Sequence, residues 1–491
     1  MQSVIGIDIG TSGTKAVALT TEGNVIASAR SSYAAVVPAP GYHELEPVIV
    51  LRAASDVLEK IFRDASSVSE VAGVALSAAM HGCMAVDKAG RPLTNFITWA
   101  DLRSNEEAMA LKSQPLGQEI YEFTGTPIHA MSPLCKIAWL RKNRPEIFAS
   151  TARFIGIKEY IWHAFFNKYQ VDHSLASATG MFDIRLLQWF QPAIAFAGIR
   201  EEMLSSPVDP LSIVTGLSAE LRKKSGCRPD LPFVIGASDG CLANLGSRAI
   251  GPGQAALTIG TSGALRMASA NAKPDPQQRI FHYILSRDLY ISGGGMNNGG
   301  AVLQWYINQF LQSPECKAED YQRILSGVEE ISSDGLIFLP YLFGERAPIW
   351  NEDAKGVFFG IRPSHGQKHF LRSLLEGISY GLCQIGHSIE ETLGPIEKIY
   401  ASGGFIRSKT WVQIVSDVFD REVMVRDIAD ASAIGACILG LKALGIIGEY
   451  SELPDNNREE EIFFPDRKRH LIHQRNMDKF KSLYTALKEE F

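Results

Sequence analysis

The chain has 491 residues, enough for two to four domains, with 54 acidic against 48 basic residues and a formal net charge of −6. That balance argues against a nucleic-acid surface or a polybasic membrane patch, since both need surplus Lys and Arg. Hydrophobic residues at 46% and charged residues at 21% fit a folded globular chain and exclude long disorder.

The elements expected from pattern alternate along the chain. The apolar run VIGIDIG at 4–10 reads as a buried strand, and NVIASAR at 24–30 as its hairpin neighbour. PVIVLRAASDVLEKIF at 47–62 has apolar residues at helical spacing, and VAGVALS at 71–77 returns to a strand. Alternation of this kind points to an α/β fold. The opening strand leaves no basic region followed by an apolar core, so no secretory signal is expected. No apolar run reaches the roughly 18 residues of a membrane span; the candidate at 431–441 contains Gly and stops at Lys442. The seven cysteines (Cys83, Cys135, Cys227, Cys241, Cys316, Cys383 and Cys437) form no CxxC pair, which fits a reducing cytoplasm.

The pentapeptide IGTSG occurs at 9–13 and again at 259–263. Each copy follows an apolar strand and precedes another, VIGID then TKAVALT, and AALT then ALRMAS. Two copies in one setting, about half a chain apart, read as two related halves that each open on a β-hairpin. The boundary is expected in the Gly-rich stretch 236–253, giving domains 1–245 and 246–491.

The same turns carry the first chemical signal. Gly, Ser and Thr at a hairpin tip expose N–H groups and hydroxyls, a concave rim suited to phosphate oxygens. Asp8 precedes the first turn and Lys15 follows it, and a carboxylate beside a phosphate cradle commonly serves Mg²⁺. The spacing is not that of a Walker A loop. Paired glycines in ASGGF at 401–405 and the amide-rich GGGMNNGG at 293–300 each precede a helix-like run, where a backbone can approach a nucleotide. Asp239, in GASDG after the apolar LPFVI, is poorly explained by packing and could accept a proton from a substrate hydroxyl. MHG at 80–82 and WADLRS at 99–104 offer His81, Trp99, Asp101 and Arg103, the mixture of polar groups and flat apolar wall that polyhydroxylated ligands require. His365 with His369 lacks a third ligand and reads as a helix start, and RKRH at 467–470 reads as a solvated face.

Taken in order, these motifs resemble the FGGY family of carbohydrate kinases, within the actin-like ATPase superfamily. DIGTSGTK at 8–15 and TIGTSGA at 258–264 look like its two phosphate motifs, and ASGGF like its adenosine motif. MSPLCKIAWL at 131–140 and FLPYLFGERAPIW at 338–350 are similar to its signature stretches, and GASDG carries its catalytic Asp position. ITWADLRS, GTPIHAMSPLCKI, GIKEY and DHSLASATG look most like gluconate kinases, while xylulokinases share MHG but usually have Asn where Ala100 stands.

The resemblance implies two actin-like (ribonuclease H-like) α/β domains with a central cleft, sugar mainly on the first and ATP mainly on the second. It implies Asp239 as catalytic base and sugar contact. Met80, His81, Trp99, Asp101, Arg103 and Lys158 would complete the sugar site, with Arg103 or Lys158 answering a substrate carboxylate. Thr11, Ser12, Thr14, Lys15, Gly260, Thr261, Ser262, Asn298, Gly403 and Gly404 would bind ATP. Asp8 and Asp239 would place Mg²⁺. The activity implied is phosphorylation of gluconate to 6-phosphogluconate, with a xylulose, ketose or polyol kinase as alternative and a non-catalytic sugar-binding regulator as remote alternative. A cytoplasmic enzyme acting on a small molecule, without nucleic acid or membrane, is expected. Such families often pair, but no stripe marks the interface of a homodimer.

Overall fold

The computed structural model describes residues 1–271, 273–311, 323–426, 428–456 and 461–491. They divide into two compact units. The first comprises Met1–Arg248, Ser269–Ile291 and Ala429–Arg458; the second comprises Ala249–Ala268, Ser292–Ile428 and Glu459–Phe491. Two later segments of the chain therefore return to the first unit.

The first unit is built on strands β1 (Gln2–Ile9), β2 (Gly13–Thr20), β3 (Val25–Ser32), β4 (Glu70–Ala78), β5 (Ile213–Val214) and β6 (Phe233–Ser238), in the order β5-β6-β4-β1-β2-β3. β1 and β2 form an antiparallel hairpin, whereas β4 runs parallel to β1 and β6 parallel to β4. Near-continuous burial along β1 means that both its faces are covered. Helix Pro47–Ser66 packs against β1 to β3. It starts with Pro at its first position and buries Val50, Ala54, Val57, Leu58 and Ile61, a stripe at helical spacing. Helix Ala431–Ala443 packs against β1, β4 and helix Asp239–Gly246. Glycine makes that packing close: a Cβ on Gly246 would lie 1.9 Å from the Ala431 carbonyl oxygen, and one on Gly435 1.9 Å from that of Leu242.

The second unit repeats the arrangement. Strands β7 (Gln254–Ile259), β8 (Gly263–Ser269), β9 (Leu289–Met296), β10 (Lys398–Ser402), β11 (Glu422–Val425) and β12 (Glu461–Phe463) neighbour one another in the order β9-β8-β7-β10-β11-β12. β7 and β8 form the antiparallel hairpin, and β10 lies parallel to β7 as β4 does to β1. The buried helix Gln367–Leu393 packs against helix Lys409–Phe419. Among the described residues no helix is long and apolar enough to cross a membrane. Six cysteines are buried free thiols; Cys316 lies outside the described residues.

Candidate active site

The first IGTSG turn closes β1 onto β2, with Asp8 opposite Lys15. The carbonyls of Ile9, Gly10, Ser12 and Gly13 are satisfied from within the unit. Gly10 N–H donates to Gly13 O at 3.0 Å, Ala79 N–H to Ile9 O at 2.9 Å, and Tyr33 gives its N–H to Ser12 O (3.3 Å) and its hydroxyl to Gly10 O (2.7 Å). Among the described residues the N–H groups of Thr11 and Ser12 have no partner, so they are left to an outside acceptor. Thr14 is fully buried and its hydroxyl meets that of Tyr33 at 3.3 Å, so it braces the turn from inside.

Asp8 Oδ1 accepts a hydrogen bond from the Ser77 hydroxyl on β4 at 2.7 Å. Burial pushes the Asp8 carboxyl upward, and the Ser77 bond and the Lys15 charge act against it. Lys15 Nζ pairs with Asp430 at 2.8 Å. Asp430, in left-handed backbone at φ 57°, precedes helix Ala431–Ala443, and the next turn of chain brings the Ser432 hydroxyl to Asp239 O at 3.1 Å. One short corner, Asp430 to Ser432, thus touches both the hairpin of Asp8 and the start of Asp239's helix.

Asp239 is the first residue of helix Asp239–Gly246, directly after β6. Its Oδ1 accepts the Gly240 N–H at 2.7 Å. β6 reaches this point through an irregular register between Val234 and Ala237. Gly236 there has φ 73°, and a Cβ on it would lie 1.8 Å from Leu76 O, so only glycine fits.

The sugar-site candidates are all in the first unit. His81 is buried with φ 64°, and its Nε2 lies 2.6 Å from the Tyr283 hydroxyl. Beneath it, fully buried Lys136 donates to the carbonyls of His81 (3.0 Å), Ala130 (3.2 Å) and Met131. Burial pulls the Lys136 ammonium down to about 8. Met80 and His81 also line a small cavity of about 30 Å³ with Glu159, whose carboxyl burial pushes up to about 7. Trp99 is half-buried. Asp101 is fully buried; it accepts the His43 N–H at 2.7 Å, the Arg103 backbone N–H at 3.1 Å and two bonds from the Arg103 guanidinium, at 2.8 and 2.7 Å. Arg103 also meets Glu44 at 2.5 Å and stacks over Tyr42, 3.9 Å from the ring centre. Two carboxylates on one guanidinium leave it no surplus positive charge to offer a ligand.

Lys158 also departs from its sequence expectation. It is 1% exposed, pairs with Asp172 at 2.7 Å and donates to Ile235 O (3.1 Å) and Ala237 O (3.0 Å). All three of its protons are engaged inside the unit, so none remains for a substrate carboxylate.

In the second unit a cavity of about 560 Å³ lies against the second IGTSG turn. Gly260, Thr261 and Gly404 line it. So do Trp305, Asn308 and Gln304 of helix Gly300–Phe310, and Phe405, Arg407 and Trp411 beyond β10. Helix Gly300–Phe310 is tied to the turn by Gly300 N–H to Gly260 O (2.7 Å) and Ala301 N–H to Thr261 O (3.0 Å). Ser262, Asn298 and Gly403 are not among the lining residues. Gly403, at φ 98°, lets β10 pass close to β7, where a Cβ would lie 2.5 Å from Ile259 O. Asn298 is fully buried, and its amide binds Gly344 O (2.7 Å), Glu345 Oε2 (2.9 Å) and Phe343 N–H (3.2 Å). It holds the Gly-rich turn against the FGER segment rather than lining the cavity. Pattern reading missed the aromatic wall, since Trp305 and Trp411 look in sequence like ordinary helix residues. It also missed Asp430, whose only local signal is an acid before an apolar helix.

Comparison with known proteins agrees with this geometry. The model of the FGGY family of carbohydrate kinases, N-terminal domain, matches residues 3–246, and that of the C-terminal domain matches 255–444. The chain is 42% identical over 460 residues to a gluconokinase of Bacillus subtilis (strain 168), covering 92% of this chain and 90% of the relative. Two solved structures from Lactobacillus acidophilus superpose equally well. A gluconate kinase has TM-score 0.93 at 30% identity, covering 99% of this chain and 98% of that one. A ligand-bound xylulose kinase has TM-score 0.93 at 30% identity, covering 99% of both chains. The fold is that of the FGGY sugar kinases, two actin-like α/β domains.

Proposed function

Because the chain belongs to the FGGY family of carbohydrate kinases, we propose that it moves the γ-phosphoryl group of ATP to a primary hydroxyl of gluconate, giving 6-phosphogluconate. The observation that carries the kinase reading is the cavity of about 560 Å³ bordered by the second IGTSG turn: aromatic walls for a base, turn N–H groups for phosphates. The choice of gluconate follows the 42% identity to the Bacillus subtilis gluconokinase, against 25% to the xylulose kinase of the same strain.

The second unit supplies the nucleotide pocket and the first the sugar loops and the base. Asp239 orients the acceptor hydroxyl and takes its proton as the oxygen attacks the γ-phosphorus in line, while the bond to the ADP oxygen breaks. On the first unit the N–H groups of Thr11 and Ser12 are donors suited to phosphoryl oxygens, and on the second unit so is the turn at Thr261. Asp8 fits a divalent cation by its chemistry, a hard oxygen donor whose burial already opposes its negative charge. Mg²⁺ held through Asp8 and Asp239 would supply positive charge to the phosphates. Met80, His81 and Trp99 contact the sugar, whereas Asp101, expected from the sequence as a sugar contact, is fully buried with both oxygens bonded by His43 and Arg103 and braces the loop from within. ATP dependence and isolated thiols fit a cytoplasmic enzyme.

The neutralised Arg103 and Lys158 favour one second reading, a kinase of a neutral ketose such as xylulose, which needs no cation. A panel of aldonates and pentuloses with ATP and Mg²⁺ separates the two. Turnover with gluconate is expected, and turnover with D-xylulose alone would remove the sugar acid. Asp239→Asn is expected to lower kcat by about 10²–10⁴-fold.

A further inference from the structure

We propose that Lys158 is a positioning residue for the base, bracing with its ammonium the bulge that interrupts the β6 ladder shortly before Asp239. The inference rests on the reading of Asp239 as base. β6 follows β4 in regular parallel register at Phe233 and Val234, and again at Ala237 and Ser238. Between them the chain bulges at Gly236, and Lys158 Nζ donates to the two carbonyls flanking that glycine, Ile235 O and Ala237 O. A neutral apolar residue here would take the donor from the buried Ile235 carbonyl, which lies in the break of the ladder, a cost that would open or re-aim the strand end.

The surroundings show a built device. Asp172 is fully buried, pairs with Lys158, and caps helix His173–Ser177 through its Oδ1 and the Leu175 N–H at 2.9 Å. The same helix sends Ser174 to Ser238, whose N–H donates to Ser174 Oγ at 3.1 Å and whose hydroxyl lies 2.9 Å from it. The last residues of β6 are therefore gripped by Lys158 at Ile235 and Ala237 and by Ser174 at Ser238. Asp239 is the next residue. The charge of Lys158 is also felt at both Asp8 and Asp239. Reactions that depend on in-line geometry lose heavily from displacements of about 1 Å.

The test compares Lys158→Met/Asp172→Asn, which removes the buried pair together, with Lys158→Arg and with Asp239→Asn in the full-length enzyme. The double variant should keep the KM values for ATP and sugar within about threefold while kcat falls by about 10–10²-fold, in the range set by mispositioning. Lys158→Arg, which retains charge and donors, should recover at least part of that loss. A folded double variant with kcat within twofold of wild type, or a Lys158→Arg variant no better than it, would overturn the inference. Should the double variant fail to fold, Lys158→Gln, which removes the charge and one of the three donors, decides against wild type: kcat reduced at unchanged KM supports the role, and KM and kcat both unchanged oppose it. Asp239→Asn with near wild-type kcat would sink the base reading instead. In that case faster hydrogen exchange at 235–240 in the Lys158 variants would still show the pinning of the strand, and unchanged exchange would end that too.

Discussion

The pentapeptide Ile-Gly-Thr-Ser-Gly closes a hairpin in each unit, yet the two copies differ in register. In the first, Ile9 faces Thr14; in the second, Ile259 faces Gly263. Gly10 N–H reaches Gly13 O at 3.0 Å, whereas Gly260 N–H reaches Ser262 O at 2.9 Å, one residue sooner. A slip of one residue exchanges the faces of the strand that follows. The sequences comply: the half-buried cation is Lys15, two residues past Gly13, but Arg266, three residues past Gly263. The residue before the turn differs as well. Asp8 is a carboxylate bonded to Ser77, while Thr258 is a neutral hydroxyl 2.9 Å from that of Ser402. A turn can thus keep its backbone donors while the charge around it is changed at will. The first copy is the charged one, and the second borders the nucleotide-sized cavity.

That contrast is open to direct attack. Asp8→Asn should lower kcat by about 10²–10³-fold, the usual cost of one preorganised electrostatic group, with the circular dichroism spectrum unchanged. The matching change in the other hairpin, Thr258→Val, removes one neutral hydrogen bond of roughly 1 kcal/mol and should cost less than tenfold. Equal losses in steady-state assays would erase the distinction between the two copies. Gly403→Ala sharpens the second copy. It forces alanine into left-handed backbone against Ile259 O, should cost about 1–3 kcal/mol, and should raise the KM for ATP more than that for sugar.

The smallest effect concerns pH. Glu159 in the first unit, like Glu345 in the second, is held by burial up to about 7. A raised carboxyl means that the folded chain binds more protons than the unfolded one from about pH 4.5 to about 7, so stability falls as pH rises through that window. Glu159→Gln keeps an acceptor for the Gly156 N–H and should flatten this decline, read as the change in Tm between pH 5 and pH 8. A decline equal to that of wild type would mean that Glu159 does not carry it.

Much of the molecule could be read from its residues. β1, β3, β4 and the helix from Pro47 are announced by apolar runs and helical spacing, because burial acts residue by residue along an element, but the hairpin partner of β1 is β2 and not the expected β3, which pairs with β2 instead. Asp8, Asp239 and both turns stood out because a charge or a Gly-rich tip after a buried strand has no packing explanation. What stayed hidden depends on distant partners. Nothing local in 269–291 or 429–458 says that these segments belong with the first unit. Lys158 and Asn298 resemble ligand-facing groups in sequence, and only their partners (Ile235, Ala237 and Asp172 for one; Phe343 to Glu345 for the other) reveal that they face inward. Thr14 likewise sits in a phosphate-like motif but spends its hydroxyl on Tyr33.

The return of Ala429–Arg458 has a consequence for biosynthesis. The first unit cannot finish its core until helix Ala431–Ala443 lies against Gly6 and Gly246, and that helix is translated nearly two hundred residues after Gly246. At about 5–20 residues per second, a nascent amino-terminal half waits on the order of ten seconds or more with that surface bare. A chain truncated after Arg248 should therefore behave as a chaperone client rather than as a free-standing domain.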